Sequence, residues 1–236
     1  MASERIILGQ EKKSELVNQH FSRYEFAGGI VPGKSVLDIA CGSGYGSKLL
    51  ADAGASRVLG VDISREALQY AGLNHAGDRI SYSAGDAEAI PLDGPFDVIV
   101  SFETIEHLRH PERFLEESVR LLGNGGSLII STPIRLTGTI AERPINPFHV
   151  REWSTDEFVD LLRGYFGSIE VFAQFNYRKN PVPYSRSIKR LFTRLFMPGL
   201  YRKINQFEVL ADCTRYSWFS MEPVYVIAVC KKMGTP

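Results

Sequence analysis

The sequence predicts an α/β fold: a doubly wound, mostly parallel sheet covered by helices on both faces. Three observations carry this. Near-continuous apolar runs such as Ser35-Val36-Leu37-Asp38-Ile39-Ala40 and Arg57-Val58-Leu59-Gly60-Val61-Asp62 read as strands buried on both sides. Helix-length segments alternate with them, the pattern of parallel strands joined by crossover helices. A chain of 236 residues, 44% hydrophobic and 23% charged, can bury the core such a sheet needs.

The elements follow in order. Residues 11–31 place Leu16, Val17, Phe21, Tyr24 and Ala27 near helical spacing, and Pro32-Gly33-Lys34 breaks the chain after them. The first strand, residues 35–40, runs into a glycine-rich loop. A helix from Tyr45 to Ala53 ends at Gly54. Strands follow at Arg57–Asp62, Arg79–Ala84 and Phe96–Ser101, with a helix from Arg65 to about His75. Pro111, favoured in a first helical turn, opens a helix to Leu122. Gly123-Asn124-Gly125-Gly126 turns the chain into a fifth strand, Ser127–Thr132. Ser154-Thr155-Asp156-Glu157 starts a further helix with an N-cap and an acid three residues on. Strands at Ser168–Phe175 and Val224–Cys230 bring the total to seven. Residues 176–222 between them are too long for an ordinary loop and read as a helical insertion or lid. The expected organisation is a helical cap (1–34), a core (35–175 with 223–236) and the insertion.

Charge excludes little. Lys+Arg and Asp+Glu both number 27, so the whole molecule has no bias toward nucleic acid or membrane. Cys41, Cys213 and Cys230 are far apart and lack C-x-x-C spacing, which fits a reducing compartment. The amino-terminal apolar run, Ile6-Ile7-Leu8, is too short for a signal-peptide core, and no stretch approaches the roughly 18 apolar residues of a membrane span. The expected location is therefore cytoplasmic.

Ligands of such a sheet bind outside the carboxyl ends of the strands. There the sequence puts Asp38-Ile39-Ala40-Cys41-Gly42-Ser43-Gly44-Tyr45-Gly46, a strand, close-set glycines and a helix start. A dinucleotide fingerprint would place a third glycine at position 47, which is Ser47. Asp62 ends the second strand and can accept ribose hydroxyls, and Asp86 is placed for an adenine amino group. Acids at three consecutive strand ends suit a cofactor without phosphates and with a cationic end. A turn needed only for helix–strand packing is the plainer alternative.

Four segments, V-L-D-I-A-C-G-S-G-Y-G, V-L-G-V-D-I-S, G-D-A-E-A-I-P and F-D-V-I-V-S-F-E-T-I-E-H-L, resemble the motifs of class I S-adenosylmethionine-dependent methyltransferases. The resemblance spans about residues 15–170, in the expected order. It implies a Rossmann-like sheet with an antiparallel last strand, and S-adenosyl-L-methionine as cofactor. By that resemblance Asp38, Gly42 and Gly44 line the methionine part, with Ala40, where the family often has glycine, also among the cofactor-binding residues. Asp62 and Ile63 hold the ribose and one adenine face, Asp86 and Ala87 the adenine edge, and Phe102 lies near the sulfonium. A finer resemblance, carried by Gly9-Gln10, His20-Phe21-Ser22-Arg23-Tyr24-Glu25-Phe26-Ala27 and the loop ending G-Y-G-S, is to methyltransferases of surface-polysaccharide and glycoconjugate biosynthesis. It implies that Arg23 reaches the cofactor carboxylate and Tyr24 the sulfonium. The alternative is that both only pack their helix on the sheet.

A hydroxyl acceptor must lose its proton, whereas an amine needs only its lone pair. The first candidate base is His149, in an irregular loop after the fifth strand, and His107 ranks second. Either could instead serve structure alone. No set of acids and histidines shows clear metal-ligand spacing in the sequence, so no metal ligands are assigned, and the metal requirement, magnesium included, stays open. Residues 177–205 hold eight Lys/Arg and no acid, and Ile188, Leu191, Phe192, Leu195 and Phe196 recur at helical spacing. Such a stretch suits a lid, an acidic or lipid-linked acceptor, or peripheral membrane contact. Ser101-Phe102-Glu103-Thr104 stands where nucleic-acid adenine methyltransferases carry N/D-P-P-Y/F, which weighs against DNA and RNA. The expected activity is O-methylation of a small-molecule or sugar/glycoconjugate hydroxyl. The alternatives are N- or RNA methylation, a non-catalytic relative, or a nicotinamide-dependent oxidoreductase. The sequence leaves the oligomeric state open.

Overall fold

The computed structural model describes residues 15–135, 144, 146–174, 207–209 and 225–233. Helix α1 (Glu15–Gly28) is followed by β1 (Ser35–Ile39), α2 (Tyr45–Asp52), β2 (Arg57–Asp62), α3 (Arg65–His75), β3 (Ile80–Ala84) and β4 (Phe96–Phe102). A single 3₁₀ turn (Ile105–His107) leads to α4 (Pro111–Leu121), β5 (Leu122–Pro133), α5 (Thr155–Arg163), β6 (Ser168–Gln174), β7 (Phe207–Val209) and β8 (Tyr225–Lys231). The strands form one sheet in the order β3-β2-β1-β4-β5-β8-β6-β7. Strands β1 to β5 pair in parallel, and β8 lies antiparallel between β5 and β6.

The seven expected strands are present, and an eighth adds to them. Strand β7, three residues long, pairs with β6 at the sheet edge and falls inside the segment read as an insertion. Gly123-Asn124-Gly125-Gly126 does not separate helix from strand. Leu122 already pairs with Phe96, the glycines form a bulge with Gly125 at φ 73°, and regular pairing resumes at Ser127 opposite Val98. The basic stretch 177–205, with its predicted amphipathic helix, lies outside the described residues.

Alternation along the strands divides the core in two. Val36, Val58, Val98, Val100 and Ile129 pack with Leu50 and Ala51 of α2 and with Tyr24 and Ala27 of α1. Leu37, Ile39, Ile99, Leu128 and Ile130 face the other way, onto Phe114 and Leu115 of α4 and Phe158 and Leu162 of α5. Both layers are therefore sealed, and binding surface is left at the strand ends. Helix α5 starts with a complete capping box: Ser154 Oγ accepts from Glu157 N (3.3 Å) and Glu157 Oε2 accepts from Ser154 N (2.7 Å). That fixes the entry of α5 just after the loop carrying His149. No helix among the described residues is long and apolar enough to cross a membrane.

Candidate active site

The carboxyl ends of β1, β2 and β4 meet α1 at one locus. Asp38, fully buried, accepts hydrogen bonds from Tyr24 Oη (3.0 Å) and Ser47 Oγ (2.6 Å). Burial pushes its carboxyl up from 3.8 to about 7; the two hydroxyls work against that shift, and the Asp62 charge adds to it. Ser47, where a dinucleotide loop would carry glycine, thus has a bonding role. Gly46 has a steric one, since a Cβ there would stand 2.0 Å from the Tyr24 ring.

Asp62 does not simply project from its strand. Oδ2 accepts from Gly42 N and Oδ1 from Ser64 N, both at 2.8 Å. It ties the glycine loop to the start of α3. A carboxylate oxygen can accept more than one hydrogen bond, so these backbone contacts do not preclude ribose hydroxyls. Gly42 sits at φ 55° with open space where a side chain would be. Ala40 adopts φ 59°, a left-handed conformation that the glycine common in the family would enter without strain. Ile63, 68% exposed, and Asp86, also exposed, border the same open edge. Asp86 Oδ1 accepts from Glu88 N (2.9 Å), and half-buried Ala87 lies between them.

Phe102 is buried in a group of rings, edge-on to Tyr24 (centroids 5.0 Å apart) and to His20 (6.5 Å). Tyr45 hydrogen-bonds through its hydroxyl to His20 Nδ1. Burial, and then the Arg23 charge, lower the His20 pKa well below its ordinary value, so His20 is neutral. Arg23 is buried and engaged: Nη1 donates to Gln174 Oε1 (2.8 Å), Nη2 lies 3.7 Å from Glu103 Oε1, and the guanidinium sits 4.4 Å from the Tyr225 ring centroid.

The two histidines read as separate candidates come together, with ring centroids 5.0 Å apart. His107 Nδ1 donates to the Phe148 carbonyl (2.9 Å). His149 Nδ1 faces Glu152 Oε1 at 2.7 Å, and Nε2 faces Asn146 Nδ2 at 2.9 Å. Asn146 Oδ1 accepts from Phe148 N (3.0 Å), so the amide is oriented to donate and His149 Nε2 accepts. Glu106 completes the cluster. It is fully buried and its Oε2 accepts from Thr132 Oγ1 (3.2 Å). Its carbonyl accepts from Val150 N and Arg151 N, which pins the histidine loop to the 3₁₀ turn. One ligand atom each from Glu106, His107 and His149 lies within 4.8 Å of the others, an arrangement able to hold a metal ion. No metal ligands are assigned from the sequence because linear spacing cannot register a residue 42 positions beyond His107. Burial raises the Glu103 carboxyl, and raises Glu106 further with the help of the Glu103 charge. Glu103 itself is at φ 54°.

Sequence reasoning missed His20, Tyr45, Glu103, Glu106, Asn146, Glu152 and Gln174. The one available signal was Glu106-His107, adjacent acid and imidazole just past a strand end.

Comparison with known proteins bears on the whole arrangement. The methyltransferase-domain family profile matches residues 37–130. A protein from Mycolicibacterium smegmatis, described as a probable S-adenosylmethionine-dependent methyltransferase, is 34% identical over 164 residues, covering 69% of this chain and 63% of its own. The chain thus spans less than two thirds of the length of that relative. A ubiquinone biosynthesis O-methyltransferase from Caulobacter sp. (strain K31) is 32% identical over 181 residues, covering 70% of this chain and 71% of its own. A crystal structure from Thermotoga maritima, described as a possible histamine N-methyltransferase, superposes with a TM-score of 0.63 at 21% identity, covering 91% of this chain and 89% of its own. That last match bears on the fold alone.

Proposed function

Because the chain belongs to the class I S-adenosylmethionine-dependent methyltransferases, we propose that it methylates a hydroxyl oxygen of a small-molecule or sugar/glycoconjugate acceptor, with His149 as general base. The observation that carries this reading is the His149 environment: an imidazole held at Nδ1 by Glu152 on a loop that follows β5. Two relatives described as O-methyltransferases, acting in ubiquinone biosynthesis and on tocopherol, favour oxygen over nitrogen.

The site fits the family cofactor. A buried acid raised to about 7 gains from a nearby positive charge, Gly42 leaves room for close approach, and Ile63 and Asp86 stand open at the neighbouring strand ends. When bound, S-adenosylmethionine supplies an electrophilic methyl carbon. Asp38, Ala40, Gly42 and Gly44 would hold its methionine end, Asp62 and Ile63 the ribose and one adenine face, and Asp86 and Ala87 the adenine edge. Phe102 and Tyr24 would pack beside the sulfonium. Arg23 would take the carboxylate by exchanging partners with Gln174 and Glu103.

The chemistry left to the protein is alignment and proton removal. Asn146 would yield Nε2 of His149 to the acceptor hydroxyl, whose proton would move to that nitrogen; the methyl group would come from the bound cofactor, which leaves as S-adenosylhomocysteine. Glu152 then stabilises the imidazolium through Nδ1–H. His107, edge-on to His149, helps shape that face. The acidic or lipid-linked character expected of the acceptor depends on residues 177–205, outside the described residues.

The test is labelled methyl transfer from S-adenosylmethionine into fractionated cell extract. His149→Ala should lower transfer by roughly 10²-fold or more while S-adenosylhomocysteine affinity stays near that of the parent chain. Undiminished transfer removes the base assignment.

A further inference from the structure

We propose that Glu106, His107 and His149 form a binding site for a divalent ion of the zinc class, and that filling it withholds His149 from proton transfer. The second part rests on the base assignment above, whereas the first stands without it.

The carboxylate and the two imidazoles each bring a ligand atom within 4.8 Å of the other two. Zinc–ligand distances of about 2.1 Å place neighbouring ligands about 3.4 Å apart, so side-chain shifts of about an ångström close the set. An independent observation points to a ligand: Glu106 Oε1 is buried and has no hydrogen-bond partner among the described residues. A carboxylate oxygen left so costs free energy that an ion would recover.

The surroundings match what a ligating histidine needs. In metal sites the second ring nitrogen usually donates to a carbonyl or a carboxylate, which fixes the tautomer. His107 Nδ1 donates to the Phe148 carbonyl at 2.9 Å, and His149 Nδ1 to Glu152 at 2.7 Å. Both rings are therefore anchored through Nδ1, and Nε2 is the nitrogen that each would offer an ion. The frame is fixed as well, because Val150 N and Arg151 N hold the Glu106 carbonyl. Two imidazoles and one carboxylate favour zinc over magnesium, which prefers oxygen donors. Three protein ligands leave a coordination position open.

The Nε2 lone pair of His149 is the one that the base assignment uses, and the Asn146 amide occupies it at 2.9 Å. An ion on that nitrogen and the acceptor's proton exclude each other. Zinc bound there should inhibit transfer, and chelation should restore it.

The experiment titrates the chelator-treated full chain with zinc by calorimetry, with magnesium in a parallel arm. It then repeats the titration on His107→Ala and Glu106→Gln. Cobalt absorption reports ligand geometry without any turnover. One equivalent of zinc bound, no competition by magnesium, roughly tenfold or greater weakening in His107→Ala and unchanged S-adenosylhomocysteine binding would support the site. Glu106→Gln keeps the side-chain volume and serves if the alanine variant does not fold. No zinc binding by the parent chain, or binding undiminished in both variants, overturns the site and leaves the His149 assignment untouched. Zinc bound at this site while labelled transfer persists or rises overturns the inhibitory part and removes His149 as the base.

Discussion

Asp38 shows how a single buried residue links acidity to ligand binding. Its donors, the Tyr24 and Ser47 hydroxyls, are neutral and do not cancel the cost of burying a charge. The folded carboxyl titrates near 7, above the unfolded value of 3.8. Between these values the folded chain keeps a proton that the unfolded chain has lost, so this group's contribution to stability declines as pH rises from about 4 to about 7 and is level above that. A cationic ligand beside Asp38 favours the ionised form. Cofactor binding below pH 7 should therefore release a proton, detectable as a dependence of the binding enthalpy on buffer ionisation heat. Asp38→Asn should abolish that dependence, and a wild-type enthalpy that is the same in all buffers would refute the linkage. Asp38, Asp62 and Gly42 were legible in the sequence because strand ends and glycines announce themselves by type. The partners that Asp38, Asp62 and Arg23 hold were not. Gln174 lies 151 residues from Arg23, and no local pattern encodes such a pairing.

Helices α1 and α2 are held together at Gly46, where propensity and packing oppose each other. Inside an exposed helix, Gly→Ala stabilises by about 1 kcal/mol. Here the added methyl would press on the Tyr24 ring at 2.0 to 2.5 Å, and the aromatic group around Phe102 leaves that ring little freedom. Overpacking of this kind costs about 1–3 kcal/mol. Gly46→Ala should thus destabilise the chain in urea unfolding, and a gain in stability would show that α1 yields readily. Element by element, β2 and α3 match their sequence-based bounds because apolar runs and caps mark them: Ser64 Oγ, for instance, accepts from Ala67 N at the start of α3. Strand β7 was invisible for a physical reason. Three residues are too few to show a period of two, and their pairing depends on β6, not on their own composition.

At the scale of the molecule, the loops bonded to Asp62 and the rings around Phe102 join α1, α2, α3, β1, β2 and β4 around one locus. A ligand seated there stabilises the native state as a unit. S-adenosylhomocysteine at 100 times its dissociation constant should add about 2.7 kcal/mol, a rise of roughly 5–10 °C in melting temperature for a chain of this size. NAD at the same concentration should leave the melting temperature unchanged, and a shift with NAD alone would refute the cofactor assignment. The doubly wound architecture was legible because it is a sum of many local signals. The Glu106–His107–His149 cluster was not, since it exists only once the loop after β5 folds back onto the turn after β4.

Gln174, the last residue of β6, pairs in register with Tyr225, the first of β8, and Arg23 touches both. Fifty residues separate them in the chain, and β7, within that stretch, pairs with β6. Closing a loop between fixed posts carries an entropy that grows only with the logarithm of its length. A change of length on either side of β7 should therefore cost little stability, provided that the pairing of β7 with β6, the paired posts and the arginine on them are kept. Variants that differ only in the length of that stretch should then keep the Tyr24 and Ser47 hydrogen bonds to Asp38 unchanged.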